Sequence, residues 1–430
     1  MERFIVEGGR RLEGSIRPGG NKNAALPILA GCLLTDEPVI LRNLPDIQDV
    51  RVMLQILGGL GASVEKLEEN VFRITAKGDI SCNPDVELSK KIRASILLAG
   101  PLLARCGQVA VAKPGGDAIG RRRVDTHLLA LEALGAQIEV SAYEYRMAVR
   151  ELVGRKMFLD EASVTATENA IMAAVLADGE TSIYNAAAEP HVQDLCHFLN
   201  GLGAKIEGIA TNSLRIEGVD SLHGGEFRIA SDHIEVGSYI GLAAVTRSEL
   251  LIEDAVPEHM YAVRHMLEKL GVDIKVEDKN IRVPREQELR VRYDIGAAVP
   301  KVDDGPWPLF PADLLSIMVV IATQAEGTVM IFEKMFESRL FFTDKLISMG
   351  ARIVLCDPHR AIVAGPSRLR GALMTSPDIR AGMAMLLAAV CAKGVSTINN
   401  ADQIERGYER IDERLNALGA KITRVPERAR

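Results

Sequence analysis

Apolar positions along this chain follow two periods, and the switch from one to the other recurs six times. A helical spacing of leucines ends at a glycine, and a strand-like alternation begins directly after it. The copies read Leu-Gly-Gly-Leu-Gly-Ala-Ser-Val at 57–64, Leu-Glu-Ala-Leu-Gly-Ala-Gln-Ile at 131–138 and Leu-Asn-Gly-Leu-Gly-Ala-Lys-Ile at 199–206. Three more follow, Leu-Glu-Lys-Leu-Gly-Val-Asp-Ile at 267–274, Leu-Ile-Ser-Met-Gly-Ala-Arg-Ile at 346–353 and Leu-Asn-Ala-Leu-Gly-Ala-Lys-Ile at 415–422. The central glycines are 61, 135, 203, 271, 350 and 419, roughly 70 residues apart and longer than a usual solenoid repeat. Each copy reads as an amphipathic helix stopped by a C-terminal glycine and followed by a strand. A second short strand is predicted at 71–75, 213–216 and 361–363. A second helix, apolar on every side, is predicted at 94–103, 169–177, 240–244 and 314–322. A helix of that kind has to lie inside a domain.

Six mixed units in one chain predict an α/β fold of two compact domains with three units each. Residues 3–6 and 12–16 read as a hairpin turning at Gly8-Gly9, and Asn21 opens the first helix. The predicted domains are 21–230, and 1–20 together with 231–430. Two linkers cross near 20 and 230, and the cleft between the domains is the expected ligand site.

Composition narrows the function. The chain has 430 residues, 47% hydrophobic and 25% charged, as expected for a globular protein of more than one core. Aromatics make up 4% and the formal net charge is -7, so neither a stacking platform nor a basic stripe for nucleic acid is present. The apolar runs at 314–322 and 381–392 are too short to span a membrane, and Met1-Glu2-Arg3-Phe4 leads straight into a strand pattern, not a secretion signal. The six cysteines are scattered without ligand spacing and read as thiols of a reducing cytosol, with no metal expected.

Charged residues in bent or helix-opening segments are the candidates for chemistry. Lys113-Pro114-Gly115-Gly116-Asp117-Ala118-Ile119-Gly120 is a bent backbone with one carboxylate, followed by Arg121, Arg122 and Arg123. Glycine amides and guanidinium forks suit phosphate or carboxylate; a solvated surface loop is the other reading. Gly19-Gly20-Asn21-Lys22-Asn23 places amides and a lysine at a helix start, and Lys90-Lys91-Ile92-Arg93 sets cations before an apolar helix. Ser163 and Thr167 are either caps or ligand hydroxyls. Glu189-Pro190-His191 is a candidate interface pin, while His191 and His233 read as hydrogen-bonded structural histidines. Asp303 and Asp304 read as solvated loop acids. The proline-rich 303–311 delivers Asp313 to a helix start, as an N-cap or as a positioned base. Arg339, Arg380, Arg406 and Arg410 lie beside apolar stretches, where a cation needs an anionic partner.

Taken together these segments resemble the enolpyruvyl transferases across nearly the whole chain. The likeness rests on Lys22-Asn23-Ala24-Ala25-Leu26-Pro27, Arg93-Ala94-Ser95, Pro114-Gly115-Gly116, Arg122, Val124-Asp125 and His127. It continues through Ala187-Ala188-Glu189-Pro190, Asp232-His233-Ile234-Glu235, Phe310-Pro311-Ala312-Asp313, Phe336-Glu337-Ser338-Arg339, Asp378-Ile379-Arg380 and Arg406-Gly407-Tyr408-Glu409-Arg410. The resemblance implies two inside-out α/β domains that close on substrate, with a mobile lid formed by the 113–125 segment. It implies transfer of the enolpyruvyl group of phosphoenolpyruvate to the 3'-hydroxyl of UDP-N-acetylglucosamine by addition and elimination, with release of phosphate. This is the first committed step of peptidoglycan precursor synthesis; another nucleotide sugar or shikimate 3-phosphate is the alternative acceptor. No cofactor, nucleic acid or membrane insertion is implied, and the chain is expected to act in the cytoplasm as a monomer or weak homo-oligomer.

By the same resemblance Lys22, Arg122 and Arg406 hold phosphoenolpyruvate, with Arg380 near the same charges, and Asp313 takes the sugar hydroxyl proton. Asn23, Arg93, Arg122, Arg123, Val124, Asp125, Thr126, Ser163, Val164, Thr165, Met335 and Arg339 line the substrate side. Asp117 stands where the family usually has the cysteine that fosfomycin alkylates, so Asp117 is expected both to donate the proton and to confer resistance. Ala312, Arg123 and Leu314-Leu315 also depart from the family's pattern, which bears on sugar specificity.

Overall fold

The computed structural model describes residues 2–115 and 122–426. Each predicted amphipathic helix ends where its glycine stands: Gln48–Gly59, Asp125–Ala133, Pro190–Gly201, Tyr261–Lys269, Thr343–Ser348 and Ile411–Ala417. All six glycines have positive φ, from +71° at Gly271 to +108° at Gly135. The glycine N–H returns to the carbonyl three residues back and the next N–H to the carbonyl five residues back, as in Gly61 to Gly58 and Ala62 to Leu57. That pair of bonds satisfies the last helix carbonyls and turns the chain into the following strand.

The strands form six sheets among the described residues, five of four strands and one of three. The four-stranded sheets share one plan. In one of them Val39–Arg42 runs parallel to Gly225–Arg228 on one side and antiparallel to Val71–Thr75 on the other. Val71–Thr75 then pairs antiparallel with Ser63–Glu68. Glu180–Tyr184, Glu249–Ile252, Gly327–Phe332 and Val395–Asn399 occupy the position of Val39–Arg42 in the other four.

The expected N-terminal hairpin does not form. Glu2–Glu7 lies between Val395–Asn399 and Ile422–Pro426, whereas Glu13–Ile16 joins a different sheet as the parallel partner of Glu249–Ile252. Glu2–Glu7 fills the gap between two strands of one copy and Glu13–Ile16 the open edge of another, which satisfies more backbone than pairing with each other would. Gly8 and Gly9 serve a close approach instead of a hairpin turn. Gly8 N–H donates to Gly394 O, Gly9 N–H to Val390 O, and a Cβ on Gly8 would sit 2.2 Å from Ala389 O.

By internal contacts, residues 2–19 and 231–426 form one compact unit, and residues 20–115 and 122–230 form the other. In the first, helices His233–Thr246, Leu315–Gln324 and Ile379–Cys391 pack against one another and are buried almost throughout. In the second, the buried helices are Lys22–Gly31, Ala99–Cys106 and Val164–Ala174. The apolar helix expected over 94–103 is broken into a 3-10 turn, Arg93–Leu98, and the helix Ala99–Cys106. Pro101 has no N–H for the ladder, and the Gly100 N–H is taken by Asn169 Oδ1 at 2.8 Å. No helix of the described residues is long and apolar enough to cross a membrane.

Two glycines four positions or fewer apart should respond oppositely to alanine. Gly61→Ala is expected to destabilise by about 1–2 kcal/mol through positive φ. Gly58→Ala, helical with open space around its Cβ, should stabilise by about 0.5–1 kcal/mol. Urea unfolding of the two variants checks the sign.

Candidate active site

Asp313 is set in place by the loop before it and the helix beneath it. Gly305 N–H donates to Phe310 O and Leu309 N–H to Pro306 O, which closes residues 305–310 on themselves and drives Phe310 into the core. Leu314 then packs on Gly237, where a Cβ would meet Leu314 Cδ1 at 2.5 Å. Asp313 falls in the turn Ala312–Leu314 and does not cap the helix. Its carboxylate is held instead by two arginines. Arg339 Nη2 donates to Oδ1 at 2.7 Å, while Arg380 Nε and Nη2 reach Oδ2 at 2.9 and 2.8 Å. Both guanidinium groups are buried, and Asp313 is partly exposed.

The two arginines therefore have a protein carboxylate as partner, and their burial does not by itself require an anionic ligand. Arg380 is oriented by its own helix start, where Asp378 accepts from Arg380 N–H at 2.8 Å and Ala381 N–H at 2.9 Å. Its guanidinium stacks on Tyr408, 5.6 Å from the ring centre. Arg406, half-buried, ends the 3-10 turn Ala401–Arg406 and donates to Gln403 Oε1 at 3.1 Å. Met335 is exposed, on the turn whose N–H groups at 335 and 336 donate to Glu333 Oε1.

The expectation that Asp304 is a solvated loop acid is corrected. Asp304 is fully buried and accepts from Lys334 N–H at 2.6 Å, because the 304–310 loop folds back beside strand Gly327–Phe332. Asp303 stays near the surface, paired with Lys301 and Lys334, which hold its carboxyl below the usual range despite partial burial. His233 is buried at its helix start and burial pushes its pKa down to about 3, with His259 and Arg380 adding to the fall. A neutral imidazole fits its reading as a structural histidine.

In the other unit Lys22 and Asn23 open helix Lys22–Gly31. Asn21 caps it by accepting from Asn23 N–H and Ala24 N–H, and Lys22 Nζ lies 3.5 Å from Asp49 Oδ2. That helix packs on the turn Arg93–Leu98. Of the three cations at 90–93, Lys90 pairs with exposed Glu87 and Lys91 is exposed, whereas Arg93 turns inward and donates to Arg123 O at 3.0 Å. Burial first and Arg122 second push the Arg93 pKa down to about 10. Two guanidinium groups that disfavour each other's charge mark a place for an anion. Arg123 pairs with Asp125, Val124 is buried, and Thr126 Oγ1 donates to Asp160 Oδ1 at 2.8 Å.

A buried network orders the hydroxyl of Thr165. Asn169 Oδ1 accepts from Gly100 N–H, which leaves Nδ2 to donate to Ile96 O and to His127 Nδ1, each at 2.8 Å. His127 Nδ1 is then an acceptor, so Nε2–H donates to Thr165 Oγ1 at 3.0 Å. Burial pushes the His127 pKa down to about 3, which keeps this tautomer neutral. Ser163 and Val164 begin the same helix. Neither Ser163 nor Thr167 supplies a side-chain cap, and Thr167 instead donates to Ser163 O and accepts from Ala187 N–H. Asp117 lies outside the described residues, as does the 116–121 part of the expected lid.

The structure thus gathers Asp313, Arg339, Arg380 and Met335 in one unit. In the other it gathers Arg93, Arg122, Arg123, Asp125, Thr126 and Thr165. Asn169 and Glu333 were not singled out from the sequence; a lone polar residue in an apolar run was the available signal for Asn169. Among the described residues no group of three or more His, Cys, Asp or Glu side chains is arranged to hold a metal.

The sequence profile of the EPSP synthase (3-phosphoshikimate 1-carboxyvinyltransferase) family matches residues 6–415. A UDP-N-acetylglucosamine 1-carboxyvinyltransferase of Bradyrhizobium diazoefficiens is 63% identical over 426 residues, covering 99% of this chain and 98% of that protein. One of Treponema denticola is 56% identical, covering 98% and 99%. The fold is similar to the crystal structure of the enolpyruvyl transferase NikO from Streptomyces tendae. The TM-score is 0.87 at 24% identity, over 98% of this chain and 99% of that one.

Asn169→Ala removes the group that fixes the His127 tautomer and leaves the buried Gly100 amide and His127 Nδ1 without their partner. The expected cost is about 2–4 kcal/mol, read by thermal unfolding.

Proposed function

The chain belongs to the EPSP synthase (3-phosphoshikimate 1-carboxyvinyltransferase) family, and from that premise we propose that it transfers the enolpyruvyl group of phosphoenolpyruvate to the 3'-hydroxyl of UDP-N-acetylglucosamine. The observation that carries this reading is the 63% identity, over nearly the full length of both chains, to a relative named for that reaction. The reaction serves peptidoglycan precursor synthesis and is proposed to run in the cytoplasm.

The proposed reaction balances in two steps. In the first, the sugar oxygen bonds to C2 of phosphoenolpyruvate, its proton passes to Asp313, and a proton from Asp117 is added at C3. In the second, C3 returns a proton, the double bond re-forms, and the C2–O bond to phosphate breaks. Asp313 already accepts from Arg339 and Arg380, but a carboxylate has about four lone-pair directions, so a hydroxyl can still donate to it. The arginines orient that carboxylate and lower the cost of negative charge arriving beside it. Lys22, Arg122 and Arg406 are proposed to hold the phosphate and carboxylate of phosphoenolpyruvate. Asn23, Arg93, Arg123, Val124, Asp125, Thr126, Ser163, Val164, Thr165 and Met335 are proposed to contact the nucleotide sugar. A diphosphate beside Arg93 and Arg122 would offset the burial and, after it, the repulsion from Arg122 that depress Arg93.

Phosphate release with phosphoenolpyruvate and each acceptor tests the reading. Release is expected with UDP-N-acetylglucosamine, and release with shikimate 3-phosphate alone would overturn it. Asp313→Asn should lower kcat by about 10²–10⁴-fold with a smaller change in KM. Prior incubation with fosfomycin should leave the activity intact because Asp117 offers no thiol; time-dependent inactivation would refute this. Asp117→Asn should lose activity across the pH range, and an unchanged pH profile at full activity would remove Asp117 from the mechanism.

A further inference from the structure

Behind Arg339 lies a second pair of carboxyl groups that the reaction does not use. Asp304 and Glu333 are both 0% exposed. Asp304 Oδ1 accepts from Lys334 N–H at 2.6 Å, and Glu333 Oε1 accepts from Met335 N–H at 3.1 Å and Phe336 N–H at 3.0 Å. The remaining oxygens, Asp304 Oδ2 and Glu333 Oε2, are buried and meet no N–H or hydroxyl donor. The amides they accept from, at 334, 335 and 336, are consecutive, so the two buried carboxyl groups stand on one turn. Two ionised carboxylates buried this closely repel, and a proton on one of them removes the repulsion and supplies a donor for the oxygens left without one. Arg339 Nε, also buried and without a hydrogen-bond partner, stands 3.9 Å from Glu333 Oε2. Its Nη2 is on Asp313, and its guanidinium stacks on the Phe336 ring at 5.0 Å.

We propose that Asp304 and Glu333 share one proton, that this proton keeps Glu333 from competing for Arg339, and that the pair thereby positions Arg339 on Asp313. Glu333 is a positioning residue, and its role rests on the reading of Asp313 as the base. With the proton in place, Arg339 and Arg380 are balanced by Asp304 and Asp313. Without it, an ionised Glu333 draws Arg339 Nε across the 3.9 Å gap and away from Asp313.

The surrounding charges leave the proton on Glu333. Lys301 and Lys334 are engaged by Asp303, and Arg360 by Asp357. His359 Nδ1 is directed at the Glu333 backbone carbonyl. His233 and His259 are both disfavoured as cations by burial, and Asp232 and Tyr408 act on Arg380. Burial raises Glu333 far above the ordinary carboxyl range, Asp304 raises it further, and Arg339 opposes them. A raised carboxyl pKa means that the folded state holds a proton the unfolded chain has given up. Stability is therefore full at acid pH and is lost as pH rises from the ordinary carboxyl value through the raised one.

Glu333→Gln, Asp304→Asn and the double variant test the proposal. Glutamine keeps the donor to Asp304 and cannot ionise. Glu333→Gln should turn over within a few-fold of wild type at pH 7 and hold its kcat at alkaline pH, where the wild type falls. Asp304→Asn removes the charge that retains the proton, so kcat should fall about 10-fold or more at pH 7 with little change in KM. Adding Glu333→Gln to Asp304→Asn should restore most of that loss. A purely structural role predicts no such rescue. An unrescued double variant overturns the proposal, as do identical alkaline limbs for wild type and Glu333→Gln. Thermal unfolding separates this from the reading of the reaction. Between pH 6 and 9 the wild-type Tm should fall by several degrees relative to Glu333→Gln, whether or not the protein releases phosphate. A pH-independent Tm difference refutes the shared proton.

Discussion

A helix buried on every side must satisfy its first amides without water, and this constraint governs where the charged groups of this protein stand. Asn21, Asp232 and Asp378 each turn a side-chain oxygen onto the first amides of a buried helix. A residue one or two positions past each cap is then fixed in direction. Lys22 follows Asn21, His233 follows Asp232, and Arg380 comes two residues after Asp378. The buried helix starts at 99, 164 and 312–315 carry no such cap, and at 312–315 the uncapped position holds an acid. There Pro311 precedes the turn and Asp313 leaves the amides alone, so its carboxylate is available to two arginines. A capping position has been given up for a charged one, and local consistency is relinquished at the place proposed for chemistry.

The arginine clamp places two cations and one carboxylate in a largely buried position. Such a cluster is tolerated only if charge and hydrogen bonding both close. The stacking of Arg380 on Tyr408 and of Arg339 on Phe336 supplies shape, and the buried carboxyl pair behind Arg339 supplies the remaining charge. In the other unit the opposite condition holds. Arg93 and Arg122 act against one another, and the His127–Asn169 network next to them is neutral. One unit is thus internally neutralised around Asp313, while the other presents cationic character suited to a diphosphate.

The fold was legible because its signal is local and repeated. Six glycines with one flanking pattern encode the same pair of backbone hydrogen bonds, and no distant residue is needed to interpret them. The apolar helices were legible because a segment without a polar face has only one place to go. The N-terminal hairpin was misread for the converse reason: Gly8-Gly9 looks like a turn, but which strand edge stands open depends on residues almost 400 positions away. The 94–103 helix was misread because its break depends on Asn169 taking the Gly100 amide.

For the site, the sequence by itself determined the residue types and their helix-end settings, since glycine, proline and capping patterns act over a few residues. Lys22, Arg93, Asp313, Arg339 and Arg380 could all be named on those grounds and by family resemblance. Only the tertiary structure decided who partners whom. It set Arg339 and Arg380 on the Asp313 carboxylate. It moved Asp304 from solvent to the interior and brought Glu333 behind Arg339. Charge pairing and burial depend on distance in space, and residues 304, 313, 333, 339 and 380 meet only after three separate helices and a sheet have packed.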